Sequence, residues 1–357
     1  MSKTLAGAEA ETLVSEGPDG LAIRPLYEGS LEPRRFLPAP RGGGRSWDIR
    51  ARVGHGGPGA VRETLLAELA GGAGSGIVAI HAGAGDGAAI GSAEALAAAL
   101  DGVLIDVAPI GLEAGFIGPA AAHWLSAAAK GSPAAPLALH LDPLSAFALA
   151  GTSPGPIEDH VANAADIAAR LAPIHPKATF SLASGVVVHE AGGSPAEELA
   201  FALAAAVAYA KALTGAGLSV EAALGGIVLG LSADADPILS IAKLRAARLV
   251  WTRFAGALGS AAPAKIEARS SRRMLTSADP WTNMVRLTAA AFAAAVGGAD
   301  AIVLGTFTDT LGPPTPFARR SARNIQHILM EEGSLGAVAD PVAGAGAFEA
   351  LSGDLAA

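Results

Sequence analysis

Residues 265–304 read KIEARSSRRMLTSADPWTNMVRLTAAAFAAAVGGADAIVL, and this stretch holds one complete strand–helix–strand unit. Lys265–Ala268 and Ala301–Leu304 are short apolar runs, which are typical of strands buried on both faces of a parallel sheet. Between them, Asp279-Pro280 pairs a capping side chain with proline and predicts the start of a helix over Trp281–Ala295. Such a unit is the building block of parallel α/β folds.

The same alternation begins near Trp47 and continues through the chain. Upstream of residue 265, the predicted strands are Ile77–His81, Val103–Val107, Leu137–Leu141, Thr179–Leu182 and Ile227–Leu231. The other predicted helices are Ala60–Leu69, Ala93–Leu100, Ile157–Leu171, Ala196–Leu213, Pro237–Leu258 and Phe317–Glu332. This makes seven strands, and the pattern by itself fits either a doubly wound sheet or a closed barrel.

Composition narrows the class of protein. The chain has 357 residues and 51% hydrophobic content, which is enough for a large core. A formal net charge of −8 and the lack of a Lys/Arg-rich run predict that nucleic acid is not a partner. Apolar runs such as Leu199–Ala210 are shorter than the roughly 20 residues of a membrane-spanning helix. With no signal pattern and no cysteine, we expect a cytoplasmic protein that does not enter a membrane.

Several short motifs occur in an order and spacing that are specific to one family. They are Ala268–Ser271, Asp279–Trp281, Val296–Asp300, Ala322–Gln326, Glu331–Glu332 and Ala339–Pro341. This part of the chain closely resembles the barrel domain of the methylmalonyl-CoA mutase family, the adenosylcobalamin-dependent acyl-CoA mutases. The resemblance extends weakly to about residue 20 and implies a (β/α)8 TIM barrel, an α/β fold, over residues 47–357.

Residues 1–46 are rich in proline, glycine and arginine and show no periodicity, so they cannot form a core of their own. We expect an extended N-terminal arm that lies over the main body or over a partner chain. Ile23–Tyr27 resembles the short motif that opens mutase chains. Arg45–Arg50 keeps the Trp and both Arg positions of a family motif, but the preceding Arg41–Gly44 lacks the tyrosine of catalytic chains.

The segment Ser184–Gly192, SGVVVHEAG, shows the clearest departure from the family's catalytic chains. In those chains the segment after the fourth predicted strand reads Ser-Gly-Tyr-His, then Met-Gln-Glu-Ala-Gly. Their Tyr and His face the cobalamin, and the His hydrogen-bonds the substrate thioester. Val186 stands at the Tyr position and Val187 at the His position. Valine neither donates a hydrogen bond nor transfers a proton, so no catalytic residue is expected here.

A second departure follows the third predicted strand. The family pattern Gln-Asn-Asp, with Arg-Gly-Thr-Tyr downstream, is replaced by His140-Leu141-Asp142 and Ala150-Gly151-Thr152-Ser153. In the family that Arg pairs with the free carboxylate of the substrate. Ala150 carries no charge, and a buried carboxylate without a partner is costly.

The cobalamin domain of the family carries an Asp-x-His-x-x-Gly motif whose His ligates cobalt. That spacing occurs nowhere in this chain, and Asp159-His160 are adjacent instead. The chain also stops soon after the barrel. We therefore expect no cobalamin-binding Rossmann-like domain here and no cofactor bound by this chain alone, with adenosylcobalamin belonging to the family complex.

Together these departures resemble the small, inactive chain of heterodimeric methylmalonyl-CoA mutases. The implied function is a non-catalytic small subunit, partnered with the catalytic large subunit, or self-associated in isolation. In that complex the partner would interconvert methylmalonyl-CoA and succinyl-CoA. Two alternatives stay open: a catalytic barrel of a split acyl-CoA mutase served by a separate cobalamin-binding chain, and a repurposed barrel that binds acyl-CoA or another ligand without cobalamin.

A remnant pocket is the remaining candidate site. Its members would lie at strand ends or in helices that match the family: His140, Asp142, His189, Glu190, Lys243, Arg269 and Ser270. His189 and Glu190 lie on the active-site face of a barrel, where they could act as acid and base or simply form structural hydrogen bonds. Lys243, with Arg245 and Arg248, could be in solvent, in ion pairs, or in contact with acyl-CoA.

Two further patterns carry less weight. His81, Asp106, His140 and Asp142 could suggest a metal site, but their spacing resembles no ligand set, and no metal is expected. Gly83 and Gly85 in HAGAGDG could form a phosphate-binding loop, although a tight turn is the commoner structure for such a run.

Overall fold

The computed structural model describes residues 10–29, 46–81 and 87–357. In these residues eight parallel strands close into a barrel, each strand pairing with its neighbours in chain order. The strands are β1 Asp48–Val53, β2 Ser75–Ala79, β3 Ile110–Glu113, β4 Ala138–Leu141, β5 Thr179–Ser184, β6 Ile227–Ala233, β7 Ile266–Ser270 and β8 Ala301–Val303. The fold is a (β/α)8 TIM barrel, as the resemblance implied.

Helices surround the barrel. They are α1 Pro58–Ala70, α2 Ala93–Ala99, α3 Gly118–Ala128, α4 Pro143–Ala150, α5 Ile157–Leu171, α6 Val186–Glu190, α7 Pro195–Gly215, α8 Val220–Gly225, α9 Pro237–Ala257, α10 Pro280–Val296, α11 Pro316–His327 and α12 Gly346–Leu355. A π-helical turn, Ile328–Glu332, continues α11. The main core lies between the strands and these helices and consists largely of alanine, leucine, isoleucine and valine.

Strand β1 is absent from the sequence-based prediction, which found seven strands where the barrel has eight. Its sequence, DIRARV, places charges at alternate positions, so it lacks the continuous apolar run of a strand buried on both faces. The omission shifts the numbering, so the SGVVVHEAG segment follows the fifth barrel strand, and His140 lies on the fourth.

The prediction of a strand over Val103–Val107 is wrong. This segment forms turns, with the Val107 amide donating to the Leu104 carbonyl at 2.9 Å. The strand of this repeat is Ile110–Glu113, which pairs with β2. Gly111 makes this strand hard to recognise in the sequence, because glycine is uncommon inside strands. The structure requires it, because a Cβ at this position would lie 3.2 Å from Ala138 and 3.3 Å from Ile77.

The helix starts marked in the sequence are confirmed. Ser194 and Glu197 form a full capping box at the start of α7. Asp236 accepts hydrogen bonds from the amides of Ile238 and Leu239, and Asp279 accepts one from Trp281. These caps fix where each helix begins relative to the carboxyl end of the preceding strand.

Helix α7 has the length and apolar composition of a membrane-spanning helix, but it is one of the barrel's outer helices. One face packs on β5 and β6 and buries Leu199, Ala202 and Tyr209. Its apolar character therefore follows from its place in the helical layer of the barrel.

Part of the N-terminal arm lies within the described residues. Ser15–Glu16 and Ala22–Ile23 form a short antiparallel ladder. Leu21 is buried in the main core, and Asp19 accepts a hydrogen bond of 3.0 Å from the Ala196 amide at the start of α7. This part of the arm therefore lies over its own chain.

Candidate functional site

The interior of the barrel holds a set of charged side chains, named here the lumen network. It comprises Asp48, Arg50 and Arg52 from β1, Glu113 from β3, His140 from β4, and Glu267 and Arg269 from β7. These strands are not all neighbours in the barrel. Since helices cover the outside, their side chains meet by pointing inward.

Two arginines hold Glu267, which is fully buried. Arg50 donates to Glu267 Oε2 at 2.6 Å, and Arg269 donates through Nε to Oε1 at 2.9 Å. Arg50 also bonds Asp48 at 3.0 Å and Ser75 at 3.0 Å. The network therefore ties β1, β2 and β7 together from inside.

Arg269 also reaches across the barrel. Its NH1 lies 2.6 Å from Glu113 Oε2, and β3 and β7 are four strands apart in either direction around the barrel. Glu113 receives a second arginine, because Arg52 NH2 donates to its Oε1 at 2.7 Å. The Arg269–Glu113 pair thus spans the lumen from one wall to the other.

The charges of the network stabilise one another. Burial alone would raise the pKa of Glu267, but Arg269 and its other neighbours outweigh burial and hold that pKa at about 2. Burial alone would also raise the pKa of Glu113. Arg269 and Arg52 outweigh burial and hold that pKa far below its usual range. Both carboxyl groups are therefore ionised at neutral pH.

His140 lies at an irregularity of the barrel wall. The pairing register shifts between Ala138 and Leu141, and the backbone of His140 has a left-handed φ of 45°. Its Nε2 is 3.6 Å from Glu267, and neither ring nitrogen has a hydrogen-bond partner among the described residues. Burial lowers the pKa of His140 to about 4, with Glu267 opposing, so the ring is neutral at pH 7.

Sequence reasoning selected His140 and Arg269 but missed Arg50, Arg52, Glu113 and Glu267. A signal was present. Glu267 and Arg269 alternate with apolar residues in IEARS, as Arg50 and Arg52 do in DIRARV. Single charges with a period of two inside otherwise apolar strands indicate a polar barrel interior.

Val186 and Val187 begin α6, directly after β5 at the carboxyl end of the barrel. Both are half-buried, and this end is where TIM barrels carry their active sites. The resemblance implies that these are the positions of the family's Tyr and His, and this chain has two aliphatic side chains there. They provide no hydrogen bond to a thioester and no proton.

His189 and Glu190 bind neighbouring protein groups. His189 Nε2 lies 2.8 Å from Ser271 Oγ, and burial lowers the pKa of His189 to about 4. The carboxylate of Glu190 accepts hydrogen bonds from the amides of Arg272 and Arg273 at 2.7 and 3.1 Å. Both residues therefore connect α6 to the loop that follows β7.

Lys243 lies in a second buried cluster outside the lumen. Its ammonium donates to Glu198 at 2.5 Å and to Ser232 Oγ at 2.6 Å, and Glu198 is fully buried. The prediction that Lys243, Arg245 and Arg248 could lie in solvent is wrong, because all three side chains are buried. Ion pairing is confirmed: Arg245 pairs with Asp340 and Glu349, and Arg248 with Asp300.

Asp142 caps α4 and joins it to α7. Its Oδ1 accepts from the Tyr209 hydroxyl at 2.5 Å and from the Ser145 amide at 3.1 Å. Burial raises the pKa of Asp142 to about 6, against the effect of these hydrogen bonds. Beside it is a cleft too narrow to hold a water molecule, lined by Gly115, Phe116, Pro119, Leu141, Asp142, Pro143, His160 and Ala164.

The remaining candidates are dispersed. Ser270 accepts a hydrogen bond of 2.8 Å from the Gly305 amide and so holds the end of β7 to the loop after β8. Ala150 is exposed at the end of α4. Asp106 accepts from Ser132 at 2.7 Å in a turn before β3, whereas His140 is in the lumen. Gly83 and Gly85 lie outside the described residues.

No three His, Asp or Glu side chains are grouped as metal ligands in the parts of the chain that the structure covers. The chain also lacks the Asp-x-His-x-x-Gly spacing that supplies the family's cobalt ligand. No chemical step through the cofactor can be assigned to these residues.

Known proteins resemble this chain over most of its length. It is 37% identical over 374 aligned positions to the methylmalonyl-CoA mutase small subunit of Streptomyces virginiae, covering 99% of this chain and 59% of that protein. It is 37% identical over 359 positions to the probable small subunit of Mycobacterium tuberculosis, covering 95% and 57%. For the small subunit of Propionibacterium freudenreichii subsp. shermanii the identity is 32% over 357 positions, covering 95% and 54%.

This chain spans between 54% and 59% of the length of these relatives. The family profile described as methylmalonyl-CoA mutase matches residues 78–357, which include seven of the eight barrel strands in whole or in part. The chain therefore belongs to the methylmalonyl-CoA mutase family.

Proposed function

We propose that this chain is a non-catalytic small subunit of a heterodimeric methylmalonyl-CoA mutase. In the complex, a large catalytic chain with adenosylcobalamin interconverts methylmalonyl-CoA and succinyl-CoA. This chain contributes a folded barrel that stabilises the assembly. The names of its relatives support the subunit type, and the geometry of the barrel interior and mouth supports the absence of chemistry.

The observation that carries the proposal is the Arg269–Glu113 bridge of 2.6 Å across the lumen. An extended acyl-thioester chain running along the barrel axis would have to pass through this bridge and separate two partly buried, ionised partners. Breaking a fully buried ion pair by displacing one partner costs about 3–5 kcal/mol, and the cost here is lower because the Glu113 side chain is 34% exposed. The axis therefore opposes entry of a long substrate.

The mouth of the barrel supports the same proposal. Even a substrate that reached the carboxyl end of β5 would meet Val186 and Val187, which cannot bind its thioester oxygen through a hydrogen bond. His189, the nearest imidazole in that segment, is buried against Ser271. A split catalytic mutase would need a polar pair at this mouth, so the non-catalytic role is favoured over that alternative.

The proposal is tested by reconstitution. This chain is mixed with a purified large methylmalonyl-CoA mutase chain from the same organism, adenosylcobalamin and methylmalonyl-CoA, and succinyl-CoA is measured. Each chain alone is the control, and size-exclusion chromatography with light scattering reports assembly.

We expect the two chains to co-elute as a heterodimer, with turnover only when the large chain is present. A matched reaction replaces the large chain with a separate cobalamin-binding chain, and no product is expected. Turnover in that reaction would show that this barrel is catalytic. Separate elution of the two full chains would contradict the subunit role.

A further inference from the structure

We propose that Arg52 and Arg269 form a carboxylate-binding site at the mouth of the barrel, and that Glu113 of the same chain occupies it. The class of ligand is a small monocarboxylate, and acetate matches the last carbon and the carboxylate of a glutamate side chain. The wild-type chain thus keeps free carboxylates out of its barrel by supplying one of its own. The site goes beyond the subunit role proposed above, because it requires no partner chain.

All three side chains lie where the barrel opens. Arg52 is the last residue but one of β1, Glu113 is the last of β3, and Arg269 is the last but one of β7. The carboxyl ends of the strands form the face on which TIM barrels bind their ligands. The three side chains are 25%, 34% and 16% exposed, respectively, so a small solute reaches them from solvent.

The two guanidinium groups are arranged around one carboxylate. Arg52 donates to Glu113 Oε1 through NH2 at 2.7 Å and through Nε at 3.2 Å. Arg269 NH1 donates to the other oxygen, Oε2, at 2.6 Å. Each carboxylate oxygen thus receives a charged donor, which is the geometry with which arginine recognises carboxylates. The bound carboxylate in the structure is the side chain of Glu113 itself.

Contacts other than those with Glu113 hold the two arginines in place. Arg269 also pairs with Glu267, through Nε at 2.9 Å and through NH2 at 2.8 Å, and Glu267 is fully buried. The backbone carbonyl of Arg52 accepts a hydrogen bond of 3.1 Å from Arg319 NH1, which fixes the end of β1. A site whose donors are positioned before the ligand binds loses little free energy to ordering.

The other carboxylates around the site are engaged elsewhere. Glu267 accepts from Arg50 at 2.6 Å, and Asp48 accepts from Arg50 at 3.0 Å. In the loop after β8, Asp309 accepts from a backbone amide of its own loop at 3.0 Å. Removal of the Glu113 side chain therefore leaves a space that an added carboxylate fills, because these neighbouring side chains already have partners.

The test uses the variant Glu113→Ala, which deletes the methylene and the carboxylate that acetate would restore. Isothermal titration calorimetry measures the binding of sodium acetate, and thermal melts measure stability, with sodium chloride at equal ionic strength as the reference. The matched control is Glu113→Gln, because its amide fills the same volume without a charge. The double variant Glu113→Ala/Arg269→Met removes one of the two guanidinium donors as well.

We expect Glu113→Ala to melt about 5 °C below the wild type. It should bind one acetate with a dissociation constant on the order of 5 mM. Saturating acetate should recover most of the lost melting temperature, whereas benzoate, which is too bulky for the vacated space, should not. The wild type, in which the tethered carboxylate competes, should bind acetate at least about 10-fold more weakly. Glu113→Gln and the double variant should bind acetate as weakly as the wild type.

Three results would overturn the assignment. The first is acetate binding to Glu113→Ala no tighter than to Glu113→Gln. The second is equal recovery of the melting temperature by chloride, which would indicate unspecific screening of charge. The third applies if Glu113→Ala does not fold in chloride: acetate in the refolding buffer should then restore a cooperative melt, and its failure to do so would contradict the site. The subunit role is tested separately, by the reconstitution described above.

Discussion

Arg269 of β7 and Glu113 of β3 form an ion pair of 2.6 Å between strands that lie on opposite sides of the barrel. Arg269 at the same time holds Glu267 on its own strand, and Glu113 holds Arg52 of β1. The two walls are thus joined through side chains where a ligand-binding barrel would keep its axis open. This relationship connects the stability of the fold to its proposed lack of chemistry.

Replacing Arg269 with methionine should destabilise the protein. The change leaves Glu113 and Glu267 with one arginine each, Arg52 and Arg50. Because Glu113 is partly open to solvent, we expect a loss of about 2 kcal/mol in the free energy of unfolding, measured by urea titration. Arg62→Met, which removes an exposed pair with Asp101, is the control and should cost under about 0.5 kcal/mol. Equal losses in both variants would contradict a structural role for the bridge.

Lys243→Met should cost more than Arg269→Met. It would leave the carboxylate of Glu198 fully buried beside only Ser232 and the neutral His189. The expected loss is about 3–5 kcal/mol in urea unfolding. Adding Glu198→Gln to the same chain should recover part of it, since the uncompensated charge is then removed. The matched control is Lys211→Met, at an exposed position of α7. If the double variant Lys243→Met/Glu198→Gln were less stable than Lys243→Met alone, this result would argue against the ion pair.

Asp142 should make stability depend on pH between about 4 and 6. Burial raises its pKa to about 6 from an ordinary value of 3.8, so in this window the folded chain holds a proton that the unfolded chain has lost. The stability that the Asp142 carboxyl group contributes is fully present below pH 3.8. It is lost as the pH rises through about 6. Asp142→Asn should remove this contribution to the change of unfolding free energy with pH. The contributions of the other titratable groups should stay the same. The test is the difference in unfolding free energy between wild type and variant from pH 4 to 7; a constant difference would contradict the shifted pKa.

Restoring the family's pair should not restore activity. Val186→Tyr/Val187→His supplies a hydroxyl and an imidazole at the end of β5, but the bridge across the lumen remains. We expect no succinyl-CoA from this variant with a separate cobalamin-binding chain while Arg269 and Glu113 remain paired. Product from the first variant would show that the two valines alone account for inactivity. Product only after Arg269→Met would assign part of the loss to the bridge.

Local signals predicted much of the helical layer. Ser194, Asp236 and Asp279 all mark real helix starts, because a cap followed by proline is determined by a few neighbouring residues. The strands were harder to predict. Asp48–Val53 was missed because its inward side chains are arginines, and Val103–Val107 was chosen over Ile110–Glu113 because its run is more apolar.

The candidate site depended on contacts that no local pattern contains. Glu113 and Arg269 are 156 positions apart, and they meet only because eight strands close into a ring. The resemblance singled out Val186 and Val187, which the structure places at the end of β5, but it could not reveal that Lys243 would be buried against Glu198. Side chains that pair across a barrel or between its layers become visible only with the closed fold.

Equilibrium dialysis of methylmalonyl-CoA tests the central claim most directly. The isolated chain, the large chain and their purified complex are each dialysed against labelled substrate, and bound ligand is counted per chain. We expect no saturable binding to the isolated chain and one substrate per heterodimer, because the Arg269–Glu113 bridge crosses this barrel's axis. Saturable binding to the isolated chain, or two substrates per heterodimer, would contradict a barrel closed to substrate.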